Sequence, residues 1–371
     1  MALIVQMKIL VNSYYSRIGD KMKSFFLPKI EDLNNDYTGN KKLLILAEGF
    51  EERSLSFITS SNTEFTNIVI CKYFPEKKSK YNNLRSIISQ FYAQSKICEL
   101  IYNRYEPFDF ETSFLEYINN INYFDDIVID ISVMSKYLIM QIICMLSGYT
   151  GNIKVIYTEP VLHAPLKDEY EKNKVSQINA TILPSYGVHN VIRTPLLTST
   201  VMQKSPILLI TFLSFNEELI KALLSEFNPM HLFLINSVSK NNLWKNDALL
   251  QLHNKIRMEY LNDNPLDTNN KLKRMVSTID YRETFELIAS LYRDYCINYR
   301  IVVSPTGTKM QALGCALIKL CCPDIHIEYP IPESFYIEGY SGSGIRKINQ
   351  VTFSNISGMI DNLSEQYELN G

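Results

Sequence analysis

Tyr299-Arg300-Ile301-Val302-Val303-Ser304-Pro305-Thr306-Gly307-Thr308-Lys309 leads straight into an apolar-striped segment, Met310 to Leu320. It reads as a buried strand, a small hydroxyl-rich turn and an amphipathic helix. The first N–H groups of a helix lack partners within it and carry partial positive charge, so such a turn can receive an anion. Gly307 lets backbone come close, the hydroxyls of Ser304, Thr306 and Thr308 can donate, and Lys309 adds a full charge. The same residues would also serve as a plain helix N-cap followed by a surface lysine.

A second stretch shares this grammar. Asp130-Ile131-Ser132-Val133-Met134-Ser135-Lys136 follows the apolar run Ile127 to Ile129 and opens an apolar helix, Tyr137 to Leu146. Ser135-Lys136 lies 173 positions before Thr308-Lys309. Ile153 to Pro160 lies 172 positions before Ile325 to Pro332, so one single-residue gap aligns two strand–turn–helix–strand units. Leu43-Leu44-Ile45 and Leu208-Leu209-Ile210 open the units 165 positions apart, with Gly49-Phe50 beside Ser214-Phe215. Repetition at this period predicts a duplicated domain. Any two α/β domains share strand–turn–helix order, but that explains less easily the shared Ser/Thr-Lys and Tyr-x-x-Pro.

The chain has 371 residues, enough for two domains with proper cores. A net charge of −2 gives no global basic field of the kind that points to direct DNA or RNA binding. Seven cysteines lie inside apolar patterns without C-x-x-C spacing, which predicts reduced thiols in a cytoplasmic protein and argues against structural zinc. The five histidines are scattered, so no metal centre is expected. Met1 to Val11 is apolar but interrupted by Gln6 and Lys8, too short to span a bilayer and without a signal-type cleavage region.

Strands here are continuous apolar runs separated by helices, the signature of parallel sheets covered on both faces. The expected fold is α/β, with two tandem Rossmann-like units forming an internal pseudo-dimer. Residues 1–40 form a leader containing Phe25-Phe26, 41–200 the first unit, 201–350 the second, and 351–371 a tail packed on the second unit. Lys167 to Lys172 is expected as a solvated charged loop, Ile325 to Tyr329 as one strand, and Met275 to Thr278 as the third strand of the second unit.

Ligands of doubly wound sheets bind outside the carboxyl ends of the strands, where the order reverses. The turns there supply Gly49, Phe50 and Arg53, then Ser132, Ser135 and Lys136, then Ser214, and finally Ser304 to Lys309. If the halves face each other, these turns form one composite cleft. The spacing fits neither a P-loop nor a G-x-G-x-x-G dinucleotide motif, and there is no G-x-S-x-G elbow, so no cofactor is expected. Glu51-Glu52 could act as a general base or compensate a helix dipole. Asp130 could ligate Mg²⁺ or orient its turn. The glycine-rich Glu338 to Arg346 could close over a ligand or simply connect two strands.

The motif Ser304-Pro-Thr-Gly-Thr-Lys309, between a strand and an amphipathic helix, resembles the signature of CARF domains, with a weaker echo at Ser132 to Lys136. CARF domains are Rossmann-like sensors of cyclic oligonucleotides in prokaryotic antiviral systems. Two CARF-like units in one chain resemble the SAVED arrangement. The likeness covers roughly residues 41–346 at the level of fold and is specific around Ser304 to Gly314; the first-half turn lacks the family's glycine. It implies a non-catalytic sensor that binds a cyclic oligonucleotide, or a similar anionic nucleotide, between CARF-like halves. Such a sensor would signal to a separate effector protein, because no effector-sized segment remains. A ring nuclease or phosphodiesterase acting at the same cleft, or a ligand-free structural adaptor, are the alternatives.

Overall fold

Continuous apolar strands need apolar cover on both faces, and this chain provides it with helices on either side of two sheets. The computed structural model describes residues 27–34, 36, 37, 39–75, 80–174, 185–256, 258, 275–335 and 344–369. The first five parallel strands are β2 (Lys42–Ala47), β3 (Asn67–Phe74), β4 (Lys96–Asn103), β5 (Asp126–Asp130) and β6 (Asn152–Pro160), after a short β1 (Glu31–Asp32). The next are β9 (Ile207–Phe212), β10 (His231–Val238), β11 (Met275–Ser277), β12 (Arg300–Ser304) and β13 (His326–Ile327). Between them lie β7 (Ser185–Tyr186) and β8 (Asn190–Ile192), and after them β14 (Tyr329–Ile331), β15 (Ser334–Phe335) and β16 (Ile345–Ser354).

The first sheet runs β1-β16-β6-β5-β2-β3-β4 and the second β11-β10-β9-β12-β13. Both contain the same permutation of five parallel strands: the earliest strand is central, the next two lie to one side and the last two to the other. The order therefore reverses beside β2 and β5 in one sheet and beside β9 and β12 in the other. These are the places where an open α/β sheet leaves a crevice.

Side chains alternate across a strand, and the core divides accordingly. Leu43, Ile45, Leu208 and Ile210 belong to one continuous cluster shared by both sheets. Leu44, Leu46 and Val128 turn the other way, onto Phe57 and Ile58 of α1 (Ser56–Ser60) and Leu84 and Ile88 of α2 (Tyr81–Phe91). Leu209 and Val302 face Ile220 and Leu223 of α6 (Glu217–Phe227) and Leu249 of α7 (Leu243–Leu252). The shared layer is filled by α3 (Phe108–Tyr117), α4 (Lys136–Met145), α8 (Tyr281–Tyr295) and α9 (Lys309–Cys321). α4 and α9 pack against each other and are buried on nearly every residue, as a helix covered by a sheet and by another helix must be. Each Leu or Ile hidden there stabilises the fold by about 1.5–3 kcal/mol relative to exposure. Gly314 of α9 permits a close approach, since a Cβ there would lie 2.6 Å from the carbonyl oxygen of Tyr281.

Several expectations are corrected. Lys167–Lys174 forms a helix, α5, whose exposed charged face is anchored by buried Tyr170 against Phe215 and Trp244. The boundary expected at 350 falls inside β16, which pairs antiparallel with β6 and returns the chain to the first sheet. Alternation in β16 sends Val351 and Phe353 into the shared cluster, while the following helix, α10 (Ile356–Gln366), packs on α9. The segment 325–329 splits at Glu328: β13 joins the second sheet, whereas β14 pairs antiparallel with β8. Of the leader, Leu27 is buried in the shared cluster and β1 pairs with β16, so this part completes the core; Phe25-Phe26 lies outside the described residues. Among the described residues no helix is long and apolar enough to cross a membrane.

Candidate functional site

The strand ends of both sheets open onto a single cavity of about 410 Å³. Its wall takes Gly49, Phe50 and Arg53 from beyond β2, Ser135 and Lys136 from the start of α4, and Ser214 from beyond β9. Thr306, Gly307, Thr308 and Lys309 come from the turn before α9. The two remaining predicted residues stand behind the wall. Ser304 shares the face of β12 that points away from the common layer and is fully buried. Ser132 is fully buried too; its hydroxyl donates to Asp130 and accepts from the Thr158 N–H at 2.9 Å. Strand alternation and a tight Asp-centred turn remove these two hydroxyls from any ligand.

The two lysines occupy matched places, each the first residue of its helix, and they reach across to each other's turn. Lys136 Nζ donates to the carbonyls of Thr306 (3.0 Å) and Gly307 (2.9 Å). Lys309 Nζ donates to the carbonyl of Met134 at 2.9 Å. Neither has a carboxylate partner among the described residues, and both are only half-buried by surface, opening onto the cavity. Burial lowers Lys136 to a pKa of about 8. Burial, then the neighbouring Arg53 charge, lowers Lys309 to about 7. The sequence pattern suggested ammonium groups waiting for phosphate; here each is engaged by neutral carbonyls.

The hydroxyls of the turn before α9 are also engaged. Thr306 Oγ1 donates to the Phe212 carbonyl (2.6 Å) and accepts from the Phe212 N–H (3.0 Å), tying the turn to the end of β9. Thr308 caps α9 through a capping box with Gln311 and donates to the Thr278 carbonyl at 2.7 Å. Gln311 folds back beneath the turn to accept from the Thr308 N–H at 2.7 Å. That is why position 307 is glycine: a Cβ there would sit 2.0 Å from Gln311 Oε1. Ser135 caps α4 by accepting from the Leu138 N–H at 3.2 Å.

Glu51 settles into a buried bidentate pair with Arg53, at 2.6 and 3.0 Å, while Glu52 is exposed. The pair neutralises the arginine expected to meet an anion. Asp130, raised to a pKa of about 6 chiefly by burial, accepts the Ser132 N–H at 3.0 Å and so orients its turn. Among the described residues no group of three or more His, Cys, Asp or Glu is placed to hold a metal ion.

Sequence reasoning missed Arg104, His163 and Lys245 on this wall, because each lies outside the matched turns. Tyr73, Tyr157 and Tyr329 also face the cavity. Tyr329 stacks on Tyr137 with centroids 6.0 Å apart and planes 29° from parallel. Enclosed ammonium groups beside aromatic faces can hold an anionic ligand that carries a ring.

No protein-family model matches the chain. No curated protein matches it. Among solved structures it is similar to the cytoplasmic domain of a prokaryotic cation chloride cotransporter, at 10% identity over 80% of this chain and 98% of that one, with a TM-score of 0.22. It is also similar to a candidate UDP-N-acetylglucosamine 2-epimerase from Listeria monocytogenes, at 8% identity over 73% of this chain and 76% of that one, with a TM-score of 0.22. Likeness this slight carries no argument about function.

Proposed function

We propose that the chain is a non-catalytic sensor that binds an anionic nucleotide in the cavity between two CARF-like units arranged as an internal pseudo-dimer. The observation that carries this is the convergence of Lys136 and Lys309, each opening a matched helix, on one cavity at the crevices of both sheets. The common strand permutation and the packing of α4 on α9 support the duplication. The likeness of Ser304 to Lys309 to the CARF turn supports a cyclic oligonucleotide as ligand and a role in prokaryotic antiviral defence through a separate effector protein.

Chemically, an anion entering the cavity competes with three backbone carbonyls for two ammonium groups. A full negative charge is the stronger acceptor, since charge-assisted pairs exceed bonds to neutral acceptors about twofold. Binding would pull both lysines off the opposing turns, coupling occupancy to the seam between the units. One observation favours catalysis as a second reading: Lys309, with a pKa of about 7, is partly neutral near neutrality and could take a proton. Thermal-shift measurements with cyclic oligonucleotides, followed by chromatography of the ligand, test both. A raised melting temperature with intact ligand is expected of a sensor; cleaved ligand supports the enzyme, and no shift at all leaves a structural adaptor.

A further inference from the structure

Among the described residues the two large sheets end in four edge strands, β1, β4, β11 and β13. β1 and β13 have two residues each and β11 three, whereas β4 has eight. An edge strand offers unpaired N–H and C=O groups to another strand, and proteins blunt that hazard with short strands, prolines or bulges. β4 has none of these: it pairs with β3 along its whole length in one unbroken parallel register. The Lys96 and Arg104 N–H groups bond to the carbonyls of Thr66 and Phe74, so alternation turns the N–H and C=O of Ile97, Glu99 and Ile101 outward.

The side chains around this edge are apolar and exposed. Ile101 is 67% exposed and Ile97 38%, and Phe74, Phe91, Phe108 and Leu115 are exposed on the neighbouring β3, α2 and α3. Scattered exposed apolar residues are ordinary, but six gathered on one strand and the elements beside it mark a contact surface. Between the two isoleucines, Glu99 pairs with Lys72 at 3.6 Å and with Arg85 at 3.4 Å. Ile97, Glu99 and Ile101 stand outside the cavity wall, so a contact here does not depend on what the cavity binds.

The run Ile97-Cys98-Glu99-Leu100-Ile101 has the same apolar and acidic pattern in both directions, which suits a partner of identical sequence. Antiparallel pairing about Glu99 sets each Ile97 opposite the partner's Ile101 and joins the outward backbone groups of all three residues. The two Glu99 carboxylates then meet on the axis, where four cations, Lys72 and Arg85 from each copy, offset the repulsion of like charges. We infer that two copies of the chain associate through β4 about a two-fold axis, so that the first sheet continues from one copy into the other. The assembly closes at two, since among the described residues no other edge strand of the large sheets exceeds three residues.

Sedimentation equilibrium on the full chain should show a reversible dimer. Ile101→Lys, which changes an exposed side chain, should weaken it at least about tenfold and leave the fold intact. Glu99→Cys places a thiol on the axis, where opposed Cα atoms stand about 5.5 Å apart, and should oxidise to a covalent dimer more readily than the wild type. Ile97→Cys should not, because its two copies would lie four residues apart, about 13 Å along the strand. Should Ile101→Lys not fold, the cross-linking decides. A monomer at every concentration overturns the inference, and so does a dimer that keeps its affinity in Ile101→Lys or links through Ile97→Cys instead. A monomer that Ile101→Lys destabilises would mean that another segment of the chain already covers β4, which overturns it as well.

Discussion

Lys136 and Lys309 each hold the turn that carries the other: the first donates to the carbonyls of Thr306 and Gly307, the second to that of Met134. This crossed contact joins the start of α4 to the turn before α9 at the cavity. Among the described residues neither ammonium group has an ion-pair partner, and burial lowers the pKa of both.

Stability should rise with pH above neutrality. Folded Lys309 has a pKa of about 7 and Lys136 about 8, against 10.5 for the ordinary side chain. Between these values the unfolded chain holds protons that the folded chain has released, so the unfolding free energy increases with pH across that window. Urea midpoints at pH 7 and pH 9.5 should show the increase, and Lys309→Met should flatten it. A slope unchanged in the variant would mean that Lys309 keeps an ordinary pKa.

Gly307 and Gly314 should differ in cost when replaced. Gly314→Ala drives a Cβ to 2.6 Å from the Tyr281 carbonyl, which is backbone of a packed helix, and should destabilise by about 1–3 kcal/mol. Gly307→Ala meets the flexible end of Gln311, which can swing away with loss of the capping box, so about 1 kcal/mol is expected. Denaturant unfolding of both variants checks the order.

Removing Glu51 should be costly to the fold itself. The Glu51–Arg53 pair is almost wholly buried, with side chains 4% and 9% exposed. Glu51→Ala strips the guanidinium of its bidentate carboxylate and should destabilise by about 3 kcal/mol. Calorimetric melting would show this; a loss below about 0.5 kcal/mol would place the pair among ordinary surface bridges.

The strand–turn–helix units were legible because local grammar writes them: apolar runs, a cap residue and an amphipathic stripe. Met275–Ser277 emerged as the third strand of the second sheet, as its short apolar pattern suggested. β16 was hidden because the apolar residues Ile345, Ile348 and Val351 are spaced three apart rather than two, and because it pairs with a strand almost two hundred positions earlier. At the site, ten of the twelve expected residues reach the cavity wall, since strand ends and helix starts fix their positions. Their hydrogen-bond partners were not legible. A lysine reaching for a carbonyl of a distant turn and a lysine awaiting an anion have the same sequence. Lys245 and His163 gave no signal because neither belongs to the two Ser/Thr-Lys turns.

The most direct test of a nucleotide held between the two turns is titration calorimetry comparing the wild type with Lys309→Ala and Lys136→Ala. Lys309 should matter more, because it is tied to one carbonyl whereas Lys136 is tied to two, and so it swings to a ligand more readily. Lys309→Ala should weaken nucleotide binding by about 1–3 kcal/mol, with a smaller loss for Lys136→Ala. Affinities identical across the three proteins would contradict the account and place any ligand elsewhere.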